Sequence, residues 1–420
     1  MKKSLILVIL ILLVAGLGFA APTKVQYWYL WDHASADLMA SMAQKFNTSQ
    51  SQYQVVPLSV PDMQKILVSI SSGSGPDVTD DFAADLAGYA AKGILLPLDP
   101  YISKTKYSIS DFSPSALKTC QYQGSTYALP MNMNFFMLFY NKTLFKQAGI
   151  AAPPKTDKEL LNDAIKLTKV NADGTLGVLG FPDFPIVYYL NNMTYAFGGN
   201  YISTDGKKLT PDNAGTLKAL DLIVAYRKKF GVDNVTKFTT GGGYLQPTDP
   251  FIAGKQAMRI DGPWFGSSVR NELKIGVDKL DYGVAPLPYP EGHPELALGA
   301  QVDSSILYIP SNSNNKDGAW AFLSWLLNET NMVTIDSSMG NFPSRISALS
   351  NAAFAKTPDF PDFANLVKNS KNLGVFPAFA GQAEFTKLLS DEAEKAWDLK
   401  MSSQDAMAEA AAKAQALLNQ

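Results

Sequence analysis

Residues 24–91 switch repeatedly between two hydrophobic periods, and this alternation limits the possible folds more than any other feature of the chain. Residues 24–31 read as an aromatic-rich strand, 35–47 as a helix with Leu38, Met42 and Phe46 at four-residue spacing, and 53–60 as a second strand. Residues 61–72 read as a helix with Pro61 in its first turn, closed by a Ser/Gly run. A short third strand over 77–81 and a helix over 85–91, stopped by Gly93, complete the pattern. Strand–helix alternation of this kind predicts an α/β chain with a mostly parallel, doubly wound sheet.

Beyond Asn134 the pattern loosens. Residues 157–170 and 213–230 read as long amphipathic helices, 281–287 as a strand entering a Pro-rich turn, and 304–309 as another strand. Residues 317–328 form an apolar helix whose Trp320, Phe322 and Trp325 belong to a core, and 383–420 an Ala-rich helical tail. There is no internal repeat and no long low-complexity linker.

The first twenty residues read as an export leader. Lys2 and Lys3 precede an apolar stretch over 5–17, too short for a comfortable membrane span, and Gly18 and Ala20 supply small residues for cleavage after Ala20. With no Cys near that point, a lipid anchor is not expected, and the mature chain is expected to be periplasmic or extracellular. Its length, about 400 residues, suits two to three domains. A net charge of −2 gives no reason to expect nucleic acid or an anionic membrane surface. Cys120 is the only cysteine and His33 and His293 the only histidines, so an internal disulfide, a Cys-based metal site and a multi-His site are excluded. No metal or other cofactor is expected.

Catalytic signatures are sparse. There is no Gly-x-Ser-x-Gly elbow and no His-Glu-x-x-His, and residues 71–76, though Gly-rich, lack the Gly-Lys-Ser/Thr ending of a phosphate loop. Aromatic and small polar residues cluster instead at strand ends: Trp31 with Asp32 and His33, Asp80 with Asp81, Asn132 with Asn134, and Tyr188 with Asn191. Ligands of open parallel sheets sit beyond the carboxyl ends of the strands. Rings with carboxylates and amides suit a neutral polyhydroxyl ligand, whose hydroxyls each donate and accept. Trp264, directly after the Gly262-Pro263 corner, offers a flat apolar face and one N–H donor on a stiff backbone.

Motifs in order along the chain give this reading a family. Lys24-Val25-Gln26-Tyr27-Trp28, Gly75-Pro76-Asp77-Val78, Gly88 through Leu95, Tyr127-Ala128-Leu129-Pro130, Tyr140 through Phe145, the block Phe251-x-x-Gly254-Lys255-x-Ala257-Met258 with Asp261-Gly262-Pro263-Trp264, and Gly340 through Arg345 resemble those of family 1 extracellular solute-binding proteins of ABC sugar importers. The resemblance runs through nearly the whole mature chain. It implies a two-lobed periplasmic binding protein fold of type II, each lobe a mostly parallel sheet flanked by helices, with the ligand cleft between lobes. The implied lobes are 21–132 with 286–337 and 133–285 with 338–420, with crossings near 130–134, 282–290 and 336–343.

Carried over residue by residue, the resemblance makes Trp264 a sugar-stacking ring, Asp32 an acidic sugar ligand and His33 its basic neighbour. Asp81 falls where maltose-binding members carry a Trp and Asn134 where they carry a Glu, so the sugar need not be maltose. Tyr188 falls on a stacking ring, Phe385 on a late aromatic ligand, and Arg345 on a loop near the ligand. The implied partners are a sugar and the membrane permease of an importer, with the protein itself a monomer. Two rivals stay open: a secreted carbohydrate-active enzyme, and a binding protein for another solute such as a polyol or uronate.

Overall fold

The computed structural model of the protein describes residues 21–276 and 278–418. The strands that frame the site are β1 (Thr23–Tyr29), β2 (Tyr53–Ser59), β3 (Val78–Phe82), β4 (Ala128–Pro130), β5 (Asn134–Phe135), β6 (Met137–Asn141), β7 (Met258–Asp261), β8 (Tyr282–Ala285), β9 (Ala300–Asp303), β10 (Ser305–Tyr308) and β11 (Leu373–Val375). The expected leader and its cleavage point lie outside the described residues. Among the described residues no helix is long and apolar enough to cross a membrane.

The first sheet has the order β2-β1-β3-β10-β4. β1 runs parallel to β2 and β3, while β10 runs antiparallel to β3 and β4. Alternation along β1 buries Val25, Tyr27 and Tyr29 on one face, as a period of two requires. Against that face pack Phe46 from the helix His33–Ser49 and Phe322 from the helix Lys316–Leu326, whose rings lie 5.3 Å apart. Asp77 and Asp80 tie strand ends rather than face a ligand. Asp77 accepts from Gln26 N at 2.9 Å and Ser313 Oγ at 2.6 Å, and Asp80 accepts from Leu30 N at 2.8 Å. Cys120 is fully buried, which raises its thiol pKa.

The second body is built differently. β7-β6-β8 is an antiparallel triplet, and β11-β9-β5 is a mixed one, with β9 parallel to β11 and antiparallel to β5. Around them pack the helices Asp157–Leu167, Ala214–Phe230, Gln382–Trp397 and Ser403–Leu418.

Several boundaries differ from the sequence expectation for local reasons. Pro61 stays outside its helix, which runs Met63–Ser71 with Asp62 as the cap accepting from Lys65 N at 3.2 Å. The helix expected over 157–170 ends at Leu167, because Lys169–Val170 pairs with Leu176–Val178. The tail is two helices rather than one. The chain passes from second body to first at Ser304, between β9 and β10, and not within 282–290. Leu287, Ala300 and Val302 pack in the second body.

Candidate functional site

Trp264 is held by a chain of bonds that starts in the core. Arg259 on β7 is wholly buried, and its Nη1 donates to both carboxylate oxygens of Asp249 at 3.0 Å while Nη2 donates to Asp261. A buried cation is tolerated only with such partners. The guanidinium also lies 4.3 Å from the centroid of Phe265. Asp261 accepts further from Gly262 N at 2.8 Å and from Tyr244 Oη at 3.0 Å, and that hydroxyl accepts from Trp264 Nε1 at 2.8 Å. An ion pair in the core therefore fixes the indole at the surface of the second body. Phe136 meets it edge-on at 5.6 Å, Tyr188 lies 6.4 Å away, and the Phe136 and Tyr188 rings are 4.8 Å apart.

These rings border a cavity of about 500 Å³ between the two bodies. The first body contributes Trp31, Asp32, Ser35 and Phe82; the second contributes Phe136, Tyr188, Tyr244, Leu245, Trp264, Ser268 and Glu272. Asn134, Asp303 and Ser305 lie where the chain crosses between bodies, and Met339 and Asn341 complete the lining. Asn134 Oδ1 is buried here without a partner, and Trp31 Nε1 is buried beside the Asp80 carboxylate, on which it acts. Burial pushes the Asp303 carboxyl up to about 6 even though Ser304 N donates to it. Burial, with Asp261 nearby, pushes the Tyr188 hydroxyl up to about 12. The arrangement can stack a ring and bond hydroxyls. Among the described residues no group of His, Cys, Asp and Glu is placed to hold a metal ion.

Of the residues singled out from sequence, Trp31, Asp32, Asn134, Tyr188 and Trp264 border this cavity. The others lie elsewhere. His33 is exposed, 3.6 Å from Asp32, and is not part of the wall. Asp81 points to the opposite face of β3 from Phe82; it is buried, accepts from Phe82 N at 2.6 Å, and burial together with Asp85 raises its pKa. Asn132 is buried and braces the crossing by accepting from Ser305 N at 2.9 Å. Asn191 accepts from Tyr201 Oη at 2.8 Å and borders an outer groove instead. Arg345 is spent within the first body, donating to Leu327 O at 2.7 Å, Tyr107 Oη at 2.6 Å and Asp111 at 3.2 Å. Phe385 is fully buried among Tyr201, Phe376 and Phe379.

Sequence reasoning missed Phe82, Phe136, Tyr244, Glu272, Asp303 and Asn341. Phe82 lies one residue beyond the expected third strand, where alternation along the strand could have placed it opposite Asp81. Tyr244 follows three glycines and carries no periodic signal at all.

Two α/β bodies joined by several crossings around an aromatic, carboxylate-lined cavity define a two-lobed solute-binding protein of type II fold. The chain belongs to the bacterial extracellular solute-binding protein family, whose sequence profile matches residues 23–333. It is 25% identical to the maltotriose-binding protein of Pyrococcus abyssi (strain GE5 / Orsay), over 83% of this chain and 72% of that one. It is also 25% identical to the sn-glycerol-3-phosphate-binding periplasmic protein UgpB of Brucella abortus (strain 2308), over 67% of this chain and 66% of the relative. Among solved structures, CpMnBP1 bound to mannotriose superposes with a TM-score of 0.80 at 27% identity, covering 93% of this chain and 100% of that one.

Proposed function

We propose that the protein captures a neutral mono- or oligosaccharide outside the cytoplasmic membrane and hands it to the permease of an ABC importer. The observation that carries this reading is Trp264, an indole anchored through Tyr244, Asp261 and Arg259 and bordering the cavity between the bodies. Relatives named for maltotriose and mannotriose binding support it. In this reading Trp264 and Tyr188 stack on sugar faces, Asp32 and Asn134 bond hydroxyls, and the Trp31 ring borders the ligand. The protein works as a monomer, without nucleic acid, and its mature form starts at Ala21. Mass spectrometry of protein from the native envelope tests that start; a mass retaining residues 1–20 in the membrane fraction would mean an anchored protein.

A thermal-shift screen against a panel of mono- and oligosaccharides tests the function, because a ligand that binds only the native state raises its stability. Stabilisation by one sugar class, with that sugar recovered unchanged, is the expected result. Conversion of the sugar to product would favour a secreted carbohydrate-active enzyme, and no stabilisation by any sugar would remove the reading.

A further inference from the structure

Among the described residues, every ionisable acid or base bordering the cavity with a charge at neutral pH is a carboxylate. Asp32 stands on the wall of the first body, Glu272 on that of the second, and Asp303 at the crossing between them; no described lysine, arginine or histidine lines the cavity. His33, 3.6 Å from Asp32, is exposed and does not line the cavity. The layer behind has the same sign, since Arg259 is shared by the two carboxylates of Asp249 and Asp261.

Asp303 is the most consequential of the three. It stands directly opposite Asn134 on the antiparallel pair β5–β9, so the two side chains leave the sheet on one face, and both border the cavity. Asn134 is 8% exposed and its side-chain oxygen has no partner. Asp303 offers acceptors and a negative charge, while Asn134 beside it offers an amide that can both accept and donate. A hydroxyl can donate to the Asp303 carboxylate once and an ammonium three times, whereas a carboxylate or phosphate group on the ligand meets it with a like charge and no proton to donate. Away from bulk water that repulsion is poorly screened.

We propose that this cleft sorts carbohydrates by charge: neutral and amine-bearing sugars enter, sugars bearing a carboxylate or phosphate do not, and Asp303 is the residue that sets the preference. This rests on the sugar-binding reading above. Family membership does not imply it, since one relative is named for a phosphate-bearing solute. The burial that raises the carboxyl of Asp303 comes with no compensating cation, and Asp85 adds to it.

The test is isothermal titration of glucose, mannose and galactose disaccharides, each in neutral, 2-amino and uronic form, at neutral pH and again in high salt. In any series that binds, the amine form is expected to bind at least as well as the neutral form, and the uronic form at least about tenfold more weakly. Asp303→Asn keeps an oxygen for Ser304 N and is expected to narrow the amine-to-uronate spread about tenfold. High salt should mute the rim carboxylates Asp32 and Glu272 while leaving the part of the spread that depends on Asp303. Asn134→Asp, which sets a second carboxylate beside the first, is expected to widen the spread, so the test stands even if Asp303→Asn does not fold. A uronic form that binds as well as its neutral counterpart overturns the charge preference while sugar binding survives. An unchanged spread in Asp303→Asn, or a narrowed one in Asn134→Asp, overturns the role of Asp303. No binding by any of the sugars removes the charge preference together with the sugar reading.

Discussion

The six-membered ring of Trp264 lies directly on Gly262, so closely that a β-carbon there would collide with Cζ3 and Cη2. The glycine is required by the ring that follows it two residues later. Gly262→Ala is therefore expected to push the indole off its seat and weaken sugar binding without altering the sheet. Trp264→Ala should lose on the order of 1–3 kcal/mol of binding energy, roughly ten- to a hundredfold in affinity. Titration of both variants with the sugar found in the thermal-shift screen checks this. An affinity unchanged in Trp264→Ala would return that residue to a packing role.

Tyr244 is the joint between the ion pair and the indole. Tyr244→Phe deletes the acceptor for Trp264 Nε1 and one donor to Asp261. Loss of these two bonds together is expected to cost about 1–3 kcal/mol, seen as a lower melting temperature together with a several-fold weaker affinity. Arg259→Met should be harsher, about 3–5 kcal/mol, because Asp249 and Asp261 would be left buried without their cation. Urea melts of the two variants separate these effects; equal losses would argue against the ion pair as the anchor.

The buried carboxyl of Asp80 makes stability depend on pH. Burial pushes it up to about 7 although Leu30 N and Tyr27 Oη donate to it. In the unfolded chain the same group ionises at about 4. Between those values the native state holds a proton that the unfolded state has lost, so stability falls as pH rises through that window and levels off above it. The contribution is up to about 4 kcal/mol. Urea unfolding is expected to show a higher midpoint in mild acid than in mild alkali, and Asp80→Asn should flatten the difference. A variant with the same slope as the parent would assign the effect to Asp81 or Asp336, whose pKa values burial also raises.

Because the cavity takes Trp31, Asp32 and Phe82 from one body and Tyr188 and Trp264 from the other, a sugar that touches both walls favours their approach. Solution scattering should give a smaller radius of gyration with saturating sugar than without it. Superimposable profiles would favour a rigid site.

What the sequence disclosed follows from how local each signal is. β1, β2, β3 and their helices were legible because period-two and four-residue spacing repeat over contiguous residues. The place of Trp264 beside the cavity was suggested by the Gly-Pro corner only together with the resemblance of its segment to the family. Arg345 and Phe385 misled, since a motif position does not say whether its side chain faces a cleft or a core. Here Tyr107 and Asp111 claim the first, and the rings of Tyr201, Phe376 and Phe379 enclose the second. Asp303 was invisible because its neighbour Asn134 lies far away in sequence, and only the pairing of β5 with β9 brings them side by side.

The seclusion of Cys120 has a practical consequence. Its sulfur is shielded from solvent and burial raises its thiol pKa, so toward water-borne maleimides the folded protein is expected to behave as though it had no cysteine. A single cysteine introduced at Ser35 or Glu272, on opposite walls of the cavity, would then be the one point of attachment for an environment-sensitive dye. The protein would become a reagentless optical reporter of its own ligand, with no need to remove a native residue first.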